Sequence, residues 1–242
     1  MSRRTIAIAA ALSVLALGSP LMTSCADSFG RQYFNQGIDK YEAGDYQGAI
    51  DDYTKALVIN PQSAATYFNR GVAKDALGDD QGAIADYAKA LEITPQYADA
   101  YYNLGNAKYK LGDYKGAIAE YTKAIEIDPQ YADAYSNRGV AMDDLEDYQG
   151  AIADYTKAIE IDPQHANAYI SRSNTKLKLA DYEGALQDSD KAIEIDPSSS
   201  FAYINRGISR ELVNDHEGAC NDWRKAADFG LEAPAEWVKN QC

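Results

Sequence analysis

The feature that most constrains this chain is its periodicity. Pro61, Pro95, Pro129, Pro163 and Pro197 stand 34 apart, as do Ala49, Ala83, Ala117, Ala151, Ala185 and Ala219. Gly37, Gly71, Gly105, Gly139 and Gly207 form a third series, interrupted once by Ser173. Tyr33, Tyr67, Tyr101, Tyr135, Tyr169 and Tyr203 form a fourth. Independent series sharing one period describe a structural unit copied along the chain. Such a unit buries its apolar face against its neighbours.

Residues 98–131 show the unit most clearly. Ala98 to Leu111 is helix-compatible, with Tyr101, Leu104, Gly105 and Lys108 on one face by three- and four-residue spacing. Gly112 suits the left-handed position that ends a helix, and Asp113 can cap the next. Tyr114 to Ile127 reads as the second helix, with Ala117, Tyr121 and Ala124 on a shared face. Asp128-Pro129 closes the unit, because proline cannot continue a helix interior. Gly105 and Ala117 are expected to let the two helices approach, where bulkier side chains would cost about 1–3 kcal/mol. Tyr101 and Tyr121 are expected to fill the larger gaps with their phenols at the wet edge.

On Tyr101, Leu104-Gly105, Ala117, Tyr121, Ala124 and Pro129 the pattern resembles the tetratricopeptide repeat family. The resemblance covers about residues 30–233 in six repeats, 30–63, 64–97, 98–131, 132–165, 166–199 and 200–233. It implies an all-α fold, a right-handed superhelical solenoid of six antiparallel helix pairs. Departures are mild. Repeat five has Ser173 and Ser189 for the glycine and the second-helix tyrosine, which predicts looser packing there. Glu146, Ala180 and Asn214 replace the glycine between helices, and Leu231 replaces the closing proline.

The family lines a concave groove with its first helices. By register this implies a peptide-binding face that includes Phe34, Tyr41, Phe68, Tyr102, Asn106, Tyr109, Ile170, Asn174 and Ile204. Apolar side chains at this register would be poorly placed if always wet, and aromatics of this kind anchor extended or helical segments of other proteins. Asp143 and Asp144 at mid-groove would favour a basic segment. Some relatives grip a C-terminal carboxylate with Lys, Asn and Arg. An Asn is matched at Asn69 or Asn137, but the basic positions hold Phe34, Phe68, Tyr102, Ser136 and Ile170, so that clamp is not inherited.

The two ends read differently. Residues 1–25 resemble an export signal: Arg3 and Arg4, an apolar run from Thr5 to Gly18, then Met22-Thr-Ser-Cys25. That last stretch is similar to a bacterial lipobox, which makes Cys25 a candidate for lipidation and places the chain on the periplasmic side of a membrane. Cleavage after Ala26, with a soluble periplasmic or secreted product, is the other reading. At the far end, residues 234–242 suit a short capping helix, with Pro234 at its start. Cys220 and Cys242 are about equally far from a bend near residues 230–233 and are expected to form a disulfide in an exported chain.

Nothing in the sequence points to catalysis, a metal or a cofactor. His165 stands where Tyr97 and Tyr131 stand in their repeats, His216 stands where Tyr46, Tyr114, Tyr148 and Tyr182 stand, and both lack ligand spacing. The pairs Asp51-Asp52 and Asp79-Asp80 read as exposed helix starts that complement the helix dipole. A net charge of −14 repels phosphate backbones, which argues against nucleic acid. The expected function is a non-enzymatic scaffold for other proteins, supporting envelope or membrane complexes through a lipid anchor. The alternative is a regulatory module that sequesters one subunit.

Overall fold

The computed structural model describes residues 20–230 with residues 239 and 242, and the side chains of residues 20–27 are outside that description. Among the described residues there are twelve α-helices and no strand. They are α1 (Pro20–Glu42), α2 (Tyr46–Ile59), α3 (Ala64–Ala76), α4 (Asp80–Ile93), α5 (Ala98–Lys110), α6 (Tyr114–Ile127), α7 (Ala132–Asp144), α8 (Tyr148–Ile161), α9 (Ala166–Lys178), α10 (Tyr182–Ile195), α11 (Ser200–Leu212) and α12 (His216–Asp228). The export segment up to residue 19 and most of the 234–242 cap lie outside the described residues. So does the side chain of Cys25, whose backbone belongs to α1. No described helix is long and apolar enough to cross a membrane.

The described helices form two compact units, divided between Pro95 and Gln96. In the first, α1 packs on α2, α3 on α4, and α2 on α3. In the second, the pairs are α5–α6, α7–α8, α9–α10 and α11–α12, each second helix packing on the first helix of the next pair.

The turn inside each pair follows from two residues. The Asp113 carboxylate accepts from the Gly116 backbone N–H at 2.9 Å and caps α6. Asp45, Asp79, Asp147, Asp181 and Asp215 cap their helices in the same way. The residue before the capping Asp takes the left-handed conformation, with φ near +80° at Gly44, Gly78 and Gly112. Glu146, Ala180 and Asn214 hold the same conformation without being glycine, at φ 64°, 61° and 67°. The turn geometry thus overrides a steric cost of about 1–2 kcal/mol for Glu or Ala.

Within a pair, the glycine of the first helix receives the ring of the second-helix tyrosine. Tyr53, Tyr87, Tyr121 and Tyr155 are each 1% exposed. The wet-edge expectation fails for Tyr121. Its hydroxyl is enclosed and donates to Asn106 Oδ1 at 2.7 Å, which satisfies the one group that burial would penalise. Repeat five is not loose either. Ser173 and Ser189 are both fully buried, their hydroxyl oxygens 2.7 Å apart, and Ser173 Oγ also donates to the Ala185 carbonyl at 2.9 Å. When the ring shrinks to a hydroxymethyl, the facing residue grows by one.

A second buried series runs beside the tyrosines. Asp52, Asp86, Glu120, Asp154, Asp188 and Asp222 recur once per repeat and are all buried, which corrects the reading of Asp52 as an exposed helix start. Each is neutralised from within. Lys40 and Lys55 reach Asp52 at 2.5 and 2.6 Å. Lys108 and Lys123 reach Glu120 at 2.7 and 3.1 Å. Elsewhere an arginine spans three helices. Arg138 donates from Nε and Nη2 to Asp154 at 2.7 and 2.8 Å, and from Nη1 to Thr122 Oγ1 at 3.0 Å. Arg70, Arg172 and Arg206 repeat this fork, binding Asp86, Asp188 and Asp222 and reaching back to Thr54, Thr156 and Asp190. The planar guanidinium suits such two-sided bonding.

Candidate functional site

The first helices carry the candidate residues, and each unit is taken by itself. In the first unit the Phe34 ring leans on Tyr53 and Phe68 on Tyr87, both with centroids 5.9 Å apart and tilted. Tyr41 packs on Tyr46 at 5.2 Å. All three candidates are half-buried, so one side of each ring is fixed and the other remains accessible. Burial, then the charges of Tyr41 and Glu42, push the Tyr53 hydroxyl up to about 12.

In the second unit the same register begins with Tyr102, which leans on Tyr121 at 5.9 Å and on Tyr131 at 4.9 Å. Its hydroxyl accepts from Asn137 Nδ2 at 3.0 Å, and Asn137 also donates to Asn106 Oδ1 at 2.9 Å. Asn106 thus serves Tyr121 and Asn137 at once. Its carbonyl is committed to holding α5, α6 and α7 together. Tyr109 packs on Tyr114 at 5.2 Å and donates its hydroxyl to Asp144 at 2.5 Å. Burial, helped by Asp144, holds the Tyr109 hydroxyl well above its ordinary value. Ile170 and Ile204 are half-buried, and Asn174 is exposed.

The register is not uniformly open. Ser136, at the register of Tyr102, is buried, and so is Asn205, one residue beyond that register at Ile204. Asn205 Nδ2 donates to the Ile170 carbonyl at 3.1 Å. Asp143 is also buried. It accepts from Thr175 Oγ1 at 2.7 Å and is paired with Lys178. The basic-segment expectation needs two open carboxylates. One of them is neutralised by the chain itself, and only Asp144 stays exposed.

Among the described residues no group of three or more His, Cys, Asp or Glu side chains is placed to hold a metal ion. His165 sits in a turn and accepts from the Ala168 N–H at 3.4 Å, its other nitrogen 3.1 Å from Asp133. His216 is exposed beside Glu211 at 2.8 Å. In the structure Cys220 is joined to Cys242, with Cα atoms 5.7 Å apart.

Family comparisons agree with this geometry. Models described as TPR repeat match residues 37–78, 76–112 and 105–143, and models described as tetratricopeptide repeat match 132–165 and 154–187. The chain is 30% identical to MamA, covering 66% of this chain and 94% of that one, with a TM-score of 0.63. It is 26% identical to YrrB, described as a TPR protein with an unusual peptide-binding site, covering 77% and 97% with a TM-score of 0.63. Pseudomonas aeruginosa pilF shares the fold at a TM-score of 0.77 and 17% identity, covering 90% and 99%. No curated protein matches the chain. With helix pairs, turn chemistry and buried tyrosines in one register, the chain belongs to the tetratricopeptide repeat family.

Proposed function

We propose that this chain is an exported, lipid-anchored, non-enzymatic scaffold that holds extended or helical segments of other proteins on the first-helix faces of its repeats. The observation that carries the reading is the set of half-buried rings Phe34, Phe68 and Tyr102, each braced by a buried tyrosine. A braced ring loses little freedom on binding, which makes it an efficient anchor. The family and the peptide-binding site described for YrrB support protein partners. The exposed Asp144 carboxylate, beside Tyr109, offers a contact for a basic residue of the partner. Export and anchoring rest on residues 1–25 and on Cys25. Support of envelope or membrane complexes follows from that address.

The test is affinity capture from membranes with residues 26–242, comparing the natural sequence with Phe68→Ala/Tyr102→Ala. Loss of captured proteins in the double variant supports binding through these faces. If the natural sequence retains nothing, the reading fails. Loss of one sharp partner would favour the narrower role of sequestering a single subunit. Mass spectrometry of the mature N-terminus tests the anchor: a diacylated Cys25 supports it, and a bare Asp27 overturns it.

A further inference from the structure

The repeats provide an internal standard for what fills the space between two first helices. Between α5 and α7 that space is occupied. Tyr131, in the turn after α6, lays its ring on Tyr102 at 4.9 Å and donates its hydroxyl to Asp99 Oδ1 at 3.1 Å. The ring packs with Ala124, Ile125 and Ala134. One repeat further on, His165 takes the same place and reaches Asp133 at 3.1 Å.

Two repeats earlier the register is the same but the filler is missing. Ser63 stands where Tyr131 does, Phe34 where Tyr102 does, Ala56 where Ala124 does and Thr66 where Ala134 does. Around them is a cavity of about 350 Å³, open to the surface and lined also by Arg31 and Asn60. Its wall includes Arg31, Phe34, Ala56 and Thr66, the counterparts of Asp99, Tyr102, Ala124 and Ala134 around Tyr131. The side chain that would fill it stops at a hydroxymethyl, and that hydroxyl is occupied with Thr66, 2.7 Å away. Ser199 also stands at this position in the α10–α11 turn, but there Ile170 replaces the aromatic floor.

One substitution in the wall sets the charge of the occupant. Asp99, which accepts from the Tyr131 hydroxyl, has Arg31 as its counterpart. Among the residues whose side chains are described, Arg31 has no ion-pair partner. A group reaching that end of the cavity must therefore accept from a guanidinium rather than donate to a carboxylate. Such bonds are strongest to an anion.

We infer that the cavity between α1 and α3 is a docking pocket for an aromatic residue of a partner protein, its ring on Phe34 and a carboxylate beside it on Arg31. This rests on the protein-binding reading above and deepens it by naming the residue class that anchors the partner. The carboxylate can be the partner's C-terminus or an acidic neighbour of the aromatic residue, since both present the same anion.

The test is NMR titration of the isotope-labelled full chain with three small probes. N-acetyl-phenylalanine carries a terminal carboxylate. N-acetyl-aspartyl-phenylalaninamide carries it on the neighbouring residue, and N-acetyl-phenylalaninamide has none. Saturable shifts are expected at Gly30, Phe34, Ser63 and Thr66, with at least one charged probe about tenfold tighter than the neutral one. Whichever charged probe wins identifies the source of the anion. Ser63→Tyr should fill the pocket from within and abolish the shifts. It removes the Ser63 cap of α3, so the fold is checked by circular dichroism. Arg31→Glu leaves the cavity open and should remove the tenfold preference for charge. The inference is overturned if no probe gives saturable shifts there, if the neutral probe binds as tightly as both charged ones, or if a folded Ser63→Tyr chain binds undiminished. Membrane capture that persists while the pocket stays empty would sink this inference alone and leave the scaffold reading standing.

Discussion

The ring of Tyr121 occupies the space that a β-carbon on Gly105 would need. A β-carbon built there would come within 2.6 Å of Tyr121 Cε1. Tyr121 is 1% exposed and has no room to retreat. Gly105→Ala is therefore expected to destabilise the fold by about 1–3 kcal/mol, read from the midpoint of urea denaturation. In a Tyr121→Ser background the same change should lose most of its cost, because Ser173 and Ser189 already show the small-with-small solution. Full additivity of the two substitutions would contradict this account.

Arg138 is the sole described side chain that neutralises Asp154 while also reaching Thr122. Arg138→Ala leaves a buried carboxylate uncompensated. The expected loss is about 2–4 kcal/mol, below that of a fully enclosed pair because the guanidinium keeps some contact with water. Chemical denaturation measures it. A change within experimental error would show that Asp154 is solvated some other way.

Alkali should act through the buried phenols. The Tyr53 hydroxyl is raised in the folded chain to about 12, so the folded state favours its neutral form. That contribution to stability is complete below the ordinary tyrosine value of about 10 and is lost as pH rises through about 12. Absorbance of tyrosinate should rise in two stages, the accessible phenols first and the buried ones together with loss of helical circular dichroism. One smooth rise with no change in helicity would count against it.

Ala180 holds a left-handed turn at φ 61°, a conformation that glycine adopts without a steric clash. Ala180→Gly is expected to raise stability by about 0.5–1 kcal/mol, after allowing for the extra freedom glycine has when unfolded. Gly112→Ala, at φ 79°, should move thermal melting in the opposite direction. Equal melting temperatures for all three chains would show that the turn relaxes.

The disulfide has a direct test. Residues 26–242 contain two cysteines, Cys220 and Cys242, joined in the structure across a separation of 22 residues. Titration of the unreduced protein should find no free thiol. Reduction should cost about 3 kcal/mol in the chain-entropy model. Two titratable thiols would remove the bridge from the account.

The helices were legible because proline, glycine and aspartate mark turns through backbone chemistry that any reader of the sequence can apply. Asp113 as a cap and Gly112 as a left-handed residue follow from local rules. The buried acids were not legible by that route. Asp52 and Asp51 are adjacent and chemically identical, yet one is buried and the other exposed, because a helix rotates by about 100° between neighbours. The signal was nevertheless present. The acids recur with the period of the repeat, and an arginine precedes four of them at one constant spacing, at Arg70, Arg138, Arg172 and Arg206. At the candidate faces the register located the rings. It could not show that Asn106 and Asp143 are already engaged by Asn137 and Thr175, because those two partners come from the following repeat.

The arginine forks have a consequence for how the protein breathes. Arg138 ties α6, α7 and α8 into one knot, and Arg172 does the same for α8, α9 and α10. A helix pair cannot open without also releasing the helix before it. The cooperative unit in hydrogen exchange should therefore be a triplet offset by half a repeat from the unit read in the sequence, with neighbouring triplets sharing a helix. Amides on a shared helix such as α8 would then exchange only when two knots come undone, and the slowest-exchanging protons would trace the second helices through the interior of the second unit.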